Sequence, residues 1–454
     1  MSVAPAEVRV LANCVVGLGF SYRGFRAGLE RKPHLIGCDA GSADFGPGFL
    51  GSGRDAKSAL AVRRDLKLMM EGAHEAGCPL VLGSCGGAGS RPHVLGYERM
   101  VRQIAAELGI SPRIALIHAD QDRDTLHDAL TRSRIRPLGP FPQLTHADID
   151  GSSDIVAMMG AGPVADALEA GADIVLAGRC ADPAIYAAQA MRLGADPALA
   201  WHAAKCVDKG YLATTAPSEG SPVLATIRGD HFDIEPTKAG AVCTVASVAR
   251  TAMYENPDPF TLRQPTGELD VSRARYEQIG NAVRVRGSLF TDTAPTVKLE
   301  GARLAGHRAI LFAGLRDPRL LARLDEFLDR YRTLLDAAAR SMGVAPERYT
   351  VVFRPYGRDA VLGPAEPSAD VPAEVGLVVD VVADTPDLAL ALAGRAGPIG
   401  SRLDVGGGIG SGGNFAYPFS PSSIAVGPVY EWSVWHVMDV DDEKDPFRVE
   451  LAAA

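Results

Sequence analysis

Through the first 200 residues, short unbroken apolar runs alternate with stretches of helical periodicity. Runs at 8–16, 34–38, 80–82, 113–117, 155–159 and 174–176 lack the alternation of a strand with one wet face. They read as strands covered on both sides, as in a parallel sheet. Between them, 57–76, 94–108, 122–133, 164–169 and 183–193 read as helices. In the first of these, Leu60, Val62, Leu66, Leu68 and Met69 supply an apolar stripe, and Gly77 stands where a C-cap glycine belongs. The alternation predicts an α/β domain over 1–200, with a parallel sheet and helices on both faces.

From about Trp201 the pattern changes. Pro, Gly and Thr become frequent at 216–240, and a β-branched run follows at 242–248. A β-rich continuation over 201–345 is expected, with a Leu-, Ala- and Arg-rich helix at 320–342. Strands at 349–354 and 375–382, a helix at 386–394 and a strand at 424–437 complete the chain. That order fits an α+β, ferredoxin-like C-terminal domain over 346–454.

A parallel sheet presents ligand sites beyond the carboxyl ends of its strands. Several polar sets fall at such ends. The loop Gly83-Ser84-Cys85-Gly86-Gly87-Ala88-Gly89-Ser90 lies between a strand and a helix. Glycines allow close backbone approach, and amides at a helix start favour an anion. Ser84, Gly86, Gly87 and Ser90 are therefore candidate contacts to an anionic substrate, although a tight turn alone would explain the same glycines. Asp39 and Asp44 lie in a second loop, Arg179 and Asp182 in another, and His93 follows the first. Arg179 suits a carboxylate or phosphate because its planar fork matches both; an ion pair with Asp182 or Asp39 is the simpler reading. Asp39 is the candidate base, since a desolvated carboxylate can titrate near working pH. His93 or Asp182 would handle a second proton, and Asp44 would contact substrate. Structural roles compete: turn capping for Asp44, helix capping for Asp182. Asp39 and Asp44 could also chelate a divalent metal, but no compact ligand motif supports this.

Thr296, Lys298 and Glu300 alternate onto one strand face, and the pair Lys298–Glu300 reads as paired surface before catalytic couple. The glycine-rich run 406–414 could close over a site or serve as a linker. Gly17-Leu18-Gly19, with Asp39 twenty residues on, resembles a dinucleotide fingerprint. Tyr22 occupies its third glycine position, which weakens a nicotinamide reading.

At 454 residues, two or three domains are expected. A formal net charge of -9 argues against a nucleic-acid partner. No stretch reaches the roughly 20 apolar residues of a membrane span. The first ten residues lack a signal-peptide pattern, and the seven cysteines contain no CxxC pair. A cytoplasmic protein with reduced thiols is expected.

Together these stretches resemble the acyclic terpene utilisation family, AtuA. The carriers are Gly37-Cys38-Asp39-Ala40-Gly41-Ser42-Ala43-Asp44-Phe45-Gly46-Pro47, the Gly83–Gly89 loop and Ala170-Gly171-Ala172-Asp173-Ile174-Val175-Leu176-Ala177-Gly178-Arg179-Cys180-Ala181-Asp182. Tyr254-Glu255-Asn256, Val297-Lys298-Leu299-Glu300-Gly301 and Phe419-Ser420-Pro421-Ser422 add to it. The resemblance implies a cytosolic protein of carbon catabolism with a ferredoxin-like C-terminal region. It also implies an oligomer, with a small separate partner subunit as in shorter relatives. The expectation is a lyase of the hydro-lyase type, a hydratase acting on a small carboxylate or acyl-CoA by proton abstraction. A non-catalytic substrate-binding or scaffolding subunit is the alternative from another class, and an NAD-dependent oxidoreductase is a third.

Overall fold

A computed structural model describes residues 5–13, 15–215, 220–368, 370–406 and 415–453. Positions 407–414 of the late glycine-rich run lie outside the described residues. The chain forms two compact units, Met1–Arg303 with Trp432–Ala454, and Leu304–Glu431.

In the first unit, the expected parallel sheet is built from β1 (Val8–Ala12), β2 (Leu35–Asp39), β3 (Leu80–Gly83) and β4 (Arg113–His118). Two strands lie outside this sheet: β5 (Ile135–Pro137) and β6 (Asp154–Met158). β7 (Ile174–Ala177) inserts between β3 and β4, giving the parallel order β1-β2-β3-β7-β4. Successive residues of each strand face opposite cores. Val10, Leu35, Val81, Val175 and Ile117 pack into one cluster. Leu11, Ile36, Leu82, Leu176 and Leu116 pack into the other. The helices Ala59–Ala76 and Arg91–Leu108 cover the second face, and Ala161–Glu169, Asp182–Arg192 and Pro197–Asp208 cover the first. Burial on both faces explains the unbroken apolar runs.

Antiparallel strands extend the sheet at both edges. β8 (Val223–Ile227) and β9 (Phe232–Pro236) continue from β1. β10 (Thr261–Gln264) and β11 (Gly267–Asp270) belong to a separate three-stranded sheet, while β12 (Arg275–Ile279) and β13 (Ala282–Arg286) complete this edge. β14 (Leu289–Asp292) closes the small sheet beside β11. β15 (Thr296–Leu315) pairs antiparallel with β6 through Lys298–Ala302. The run at 155–159 is thus a strand, but its ladder partner is β15, and it meets the parallel sheet through isolated bridges past the strand ends, Val156 with Asp120 and Met159 with Cys180.

Two helices replace expected β or irregular structure. Pro197–Asp208 begins at Pro197, and the Asp196 carboxylate caps it by accepting from Ala198 N–H and Leu199 N–H. Val245–Met253 occupies much of the β-branched run. Thr244 Oγ1 accepts from Ser247 N–H at 3.1 Å, and Ser247 Oγ accepts from Thr244 N–H at 3.0 Å. This capping box outweighs the weak β preference of the valines. Thr244→Ala is expected to lower stability by about 1 kcal/mol, read by chemical denaturation. No loss would show that tertiary packing alone holds this helix.

The second unit runs from the later part of β15 through the helix Leu324–Ser341, β16 (Tyr349–Tyr356), β17 (Val375–Ala383), the helix Pro386–Arg402 and the start of β18 (Ser423–Asp439). Its strands take the order β16-β17-β15-β18. Leu311, Val379, Phe327, Tyr331 and Leu392 form its core. Tyr331 satisfies its buried hydroxyl by donating to Ala396 O at 2.7 Å. The last strand of the chain, β19 (Arg448–Ala453), returns to the first unit and covers the edge of β4. No helix among the described residues is long and apolar enough to cross a membrane.

Candidate functional site

The carboxyl ends of the parallel strands carry Asn13, Asp39, Ser84, His118 and Arg179 in or just after β1, β2, β3, β4 and β7. The structure brings two sequence candidates, Asp39 and Asp182, into one cluster and adds two residues that the sequence did not suggest. Lys209 Nζ lies 3.2 Å from Asp39 Oδ2, 3.2 Å from Asp182 Oδ2 and 2.9 Å from Asp208 Oδ1. Asp39, Asp208 and Lys209 are buried. Asp39 is fixed through its other oxygen, which accepts from Gly41 N–H at 2.9 Å. Asp182 is the first residue of its helix, yet its carboxylate faces Lys209, and the N-cap position belongs to Ala181. Asp208 ends the buried helix that Asp196 begins, so two capping positions set where Lys209 emerges.

Three carboxylates around one ammonium leave two negative charges uncompensated if all ionise. Burial first, and then the Asp182 charge, push the Asp39 carboxyl above its ordinary value against the pull of Lys209. Burial pushes Asp208 up to about 7. Burial alone would lower Lys209, but Asp208, Asp182 and Asp39 outweigh it and keep the amine protonated. Asp208 is therefore the member of the cluster that exchanges a proton near neutral pH. Asp39, Asp182 and Asp208 also offer oxygens within 4.8 Å of one another, a spacing suited to a metal ion. Lys209 already holds the centre of that set, so a cation fits only if the amine leaves. Asp44 is not in the set; it is exposed in the turn Ala43–Phe45, where Ser42 Oγ accepts from its N–H.

Arg179 makes its ion pair with neither Asp182 nor Asp39 but with Glu300 of β15. Its Nε donates to Glu300 Oε2 at 2.8 Å and its Nη2 to Oε1 at 3.2 Å. The remaining nitrogen donates to Ser84 Oγ and Cys180 O, each at 3.2 Å. Lys298 Nζ lies 2.7 Å from Glu300 Oε1 and over the Trp435 ring. Burial opposes the Glu300 charge, but Arg179 and Lys298 overcome it and pull the carboxyl down to about 2. The fork expected to grip a substrate is thus engaged by protein, and it ties β7 and the loop after β3 to β15.

The glycine-rich loop is buried from Gly83 to Ser90. Its glycines meet protein at close range. A Cβ on Gly41 would overlap Gly87 and Ser84 O, and one on Gly89, at φ +67°, would overlap the Arg179 backbone. A Cβ on Gly86 would reach 2.6 Å from His93 Cβ. The loop packs the strand ends together, and Ser84 Oγ donates to Cys180 O while accepting from Cys180 N–H. His93 accepts from Ser90 Oγ at Nδ1, 3.0 Å, and donates from Nε2 to Arg54 O, 2.8 Å. Burial lowers its basicity. Both ring nitrogens are committed to protein, away from the Asp39 cluster. Burial likewise keeps the Cys85 and Cys180 thiols neutral.

At the dinucleotide-like turn, Gly17 and Gly19 N–H donate to the buried Asp65 carboxylate at 2.8 and 3.0 Å. The amides that would cradle a pyrophosphate already hold an anion. A cleft of about 370 Å³ opens at the opposite, amino end of β3, β4 and β7, lined by Met70, Cys78, Pro79, Ile110 and Asp173 among others. It lacks the convergent charges of the Asp39 cluster.

The family model described as acyclic terpene utilisation family protein AtuA matches residues 62–193 and 220–410. Arg179, Asp182, Ser84 and Glu300 fall within the matched segments; Asp39, Asp208 and Lys209 fall outside them. No curated protein and no solved structure matches the chain. With most of its length covered, the chain belongs to the acyclic terpene utilisation family, AtuA.

Proposed function

We propose that this chain is a catabolic enzyme of the hydro-lyase type, acting on a small carboxylate or acyl-CoA by proton abstraction. The observation that carries the reading is the buried Asp39–Asp182–Asp208 cluster around Lys209, at the carboxyl end of a parallel sheet. Asp39, raised by burial, is the base that takes the proton beside the substrate carbonyl. Lys209 stabilises the negative charge that develops there. Asp208, which holds a proton near neutral pH, or Asp182 returns a proton to the leaving hydroxyl. His93 serves the fold in this scheme. The β-α-β-β-α-β order of Leu304–Glu431 supports reading that unit as ferredoxin-like. A cytoplasmic location and a small partner subunit complete the proposal.

The test is turnover of a panel of hydroxyacyl and unsaturated acyl-CoA esters and their free acids. Asp39→Asn should lower kcat at least about 100-fold. The base works only when ionised, so activity rises with pH through the raised Asp39 value. Asp182→Asn removes the largest like charge acting on Asp39 and should move this acid limb to lower pH. Unchanged turnover in Asp39→Asn removes Asp39 as base. An inert isolated chain that becomes active only with a partner, regardless of Asp39, favours the scaffolding alternative.

A further inference from the structure

We propose that Lys57 and Asn13 form a subsite for the carboxylate of an organic acid at the end of β2, beside Asp39. This rests on reading the strand-end rim as a substrate site. Lys57 Nζ is buried and has no hydrogen-bond partner among the described residues. Asn13 is 3% exposed, and neither Nδ2 nor Oδ1 has a partner among the described residues. Both residues flank the same strand end. Asn13 N–H donates to Gly37 O and Val16 N–H to Asp39 O, so the chain after β1 runs along the terminus of β2. The adjoining Gly17 packs against Lys57, its Cβ direction lying 3.2 Å from Lys57 Cδ. Ala56 N–H donates to Gly86 O, which fixes the Lys57 backbone to the glycine-rich loop.

Orphaned buried polar groups are rare, and an orphaned ammonium is the most costly kind. Asp39 and Lys209 lie within the electrostatic reach of Lys57, one attractive and one repulsive. Burial first, with a smaller push from Lys209, lowers the basicity of Lys57 against the attraction of Asp39 and Asp55. A carboxylate supplies what is missing: a negative charge for Nζ and acceptor oxygens for Nζ and Asn13 Nδ2. Arg179 cannot serve, because Glu300 and Ser84 engage it. A carboxylate held at Lys57 sits at the same strand end as Asp39, the proposed base.

The probe is butyrate, titrated against sodium chloride at equal ionic strength, with melting temperature as readout. The full-length protein should be stabilised by butyrate beyond the chloride control, by mass action. Lys57→Gln should weaken the apparent affinity at least tenfold, Lys57→Arg should retain most of it, and Asp39→Asn should still bind. In chloride alone Lys57→Gln should be no less stable than the parent, because a buried unpaired charge has been removed; this separates a lost subsite from a damaged fold. Equal butyrate responses in the parent and Lys57→Gln, or a parent response no larger than that to chloride, overturn the inference. Lost turnover in Asp39→Asn with an unaffected Lys57→Gln would sink the subsite and leave the proton-abstraction reading standing. Retained turnover in Asp39→Asn with lost butyrate binding in Lys57→Gln would do the reverse.

Discussion

Glu300→Ala is expected to cost about 3–5 kcal/mol of stability, the scale of a broken buried ion pair. Glu300 is 1% exposed and is the carboxylate partner of both Arg179 and Lys298. Alanine would leave the Arg179 guanidinium buried with only Ser84 and Cys180 oxygens to satisfy it. Removing one partner of a buried pair exposes the full desolvation cost of the other. The pH dependence gives a second reading. Glu300 has its carboxyl depressed to about 2 in the fold, so its stabilising contribution is complete above the unfolded value and is lost as pH falls toward 2. The deficit of Glu300→Ala should therefore be constant between pH 5 and 8 and shrink in strong acid. Denaturant unfolding at several pH values measures it. A loss below about 1 kcal/mol would mean that water reaches Arg179 and that the pair is not a structural tie.

That tie also bears on the site. Arg179 bonds Ser84, and Ser84 O lies against Gly41, whose N–H orients Asp39. The glycine-rich motif was legible in the sequence as a special backbone, but the reason for its glycines was not. Gly41, Gly86 and Gly89 allow loop to approach loop, and a pattern of glycines cannot distinguish this from approach to a ligand. The sheet was legible because strands buried on both faces leave unbroken apolar runs. Strand pairing was not: β6 has the composition of its parallel neighbours yet pairs with β15, nearly 150 residues later. The helix Pro197–Asp208 was hidden for a related reason. Its Ala, Leu, Trp and Val side chains are buried all round, so no amphipathic stripe marks it. Asp196-Pro197 was the available signal, an N-cap followed by proline in the first turn. Missing that helix also concealed Asp208 and Lys209. Their adjacency after an apolar segment gives charge without direction, and only the fold turns Lys209 toward Asp39.

Lys209→Met should cost about as much as Glu300→Ala at pH 8, but its cost should change between pH 5 and 8, where that of Glu300→Ala is constant. Methionine keeps much of the volume and removes the cation that bonds Asp39, Asp182 and Asp208 together. Those carboxyls then face one another without a cation between them, and the affinity of Asp39 and Asp208 for protons rises further. A carboxyl whose folded value is raised contributes stability that is complete below its unfolded value and is lost as pH climbs through the folded value. In the parent protein Asp208 already stands at about 7. Without Lys209 the carboxyls can fold only by carrying protons, which they do readily at pH 5 and at increasing cost by pH 8. The expected result is a deficit of about 3–5 kcal/mol at pH 8 that narrows substantially at pH 5, accompanied by loss of turnover. Asp208→Asn in the same background removes one of the crowded charges and should recover part of the stability at pH 8 without restoring turnover. An equal deficit at both pH values would assign the loss to packing and remove the charge cluster as the feature that organises this rim.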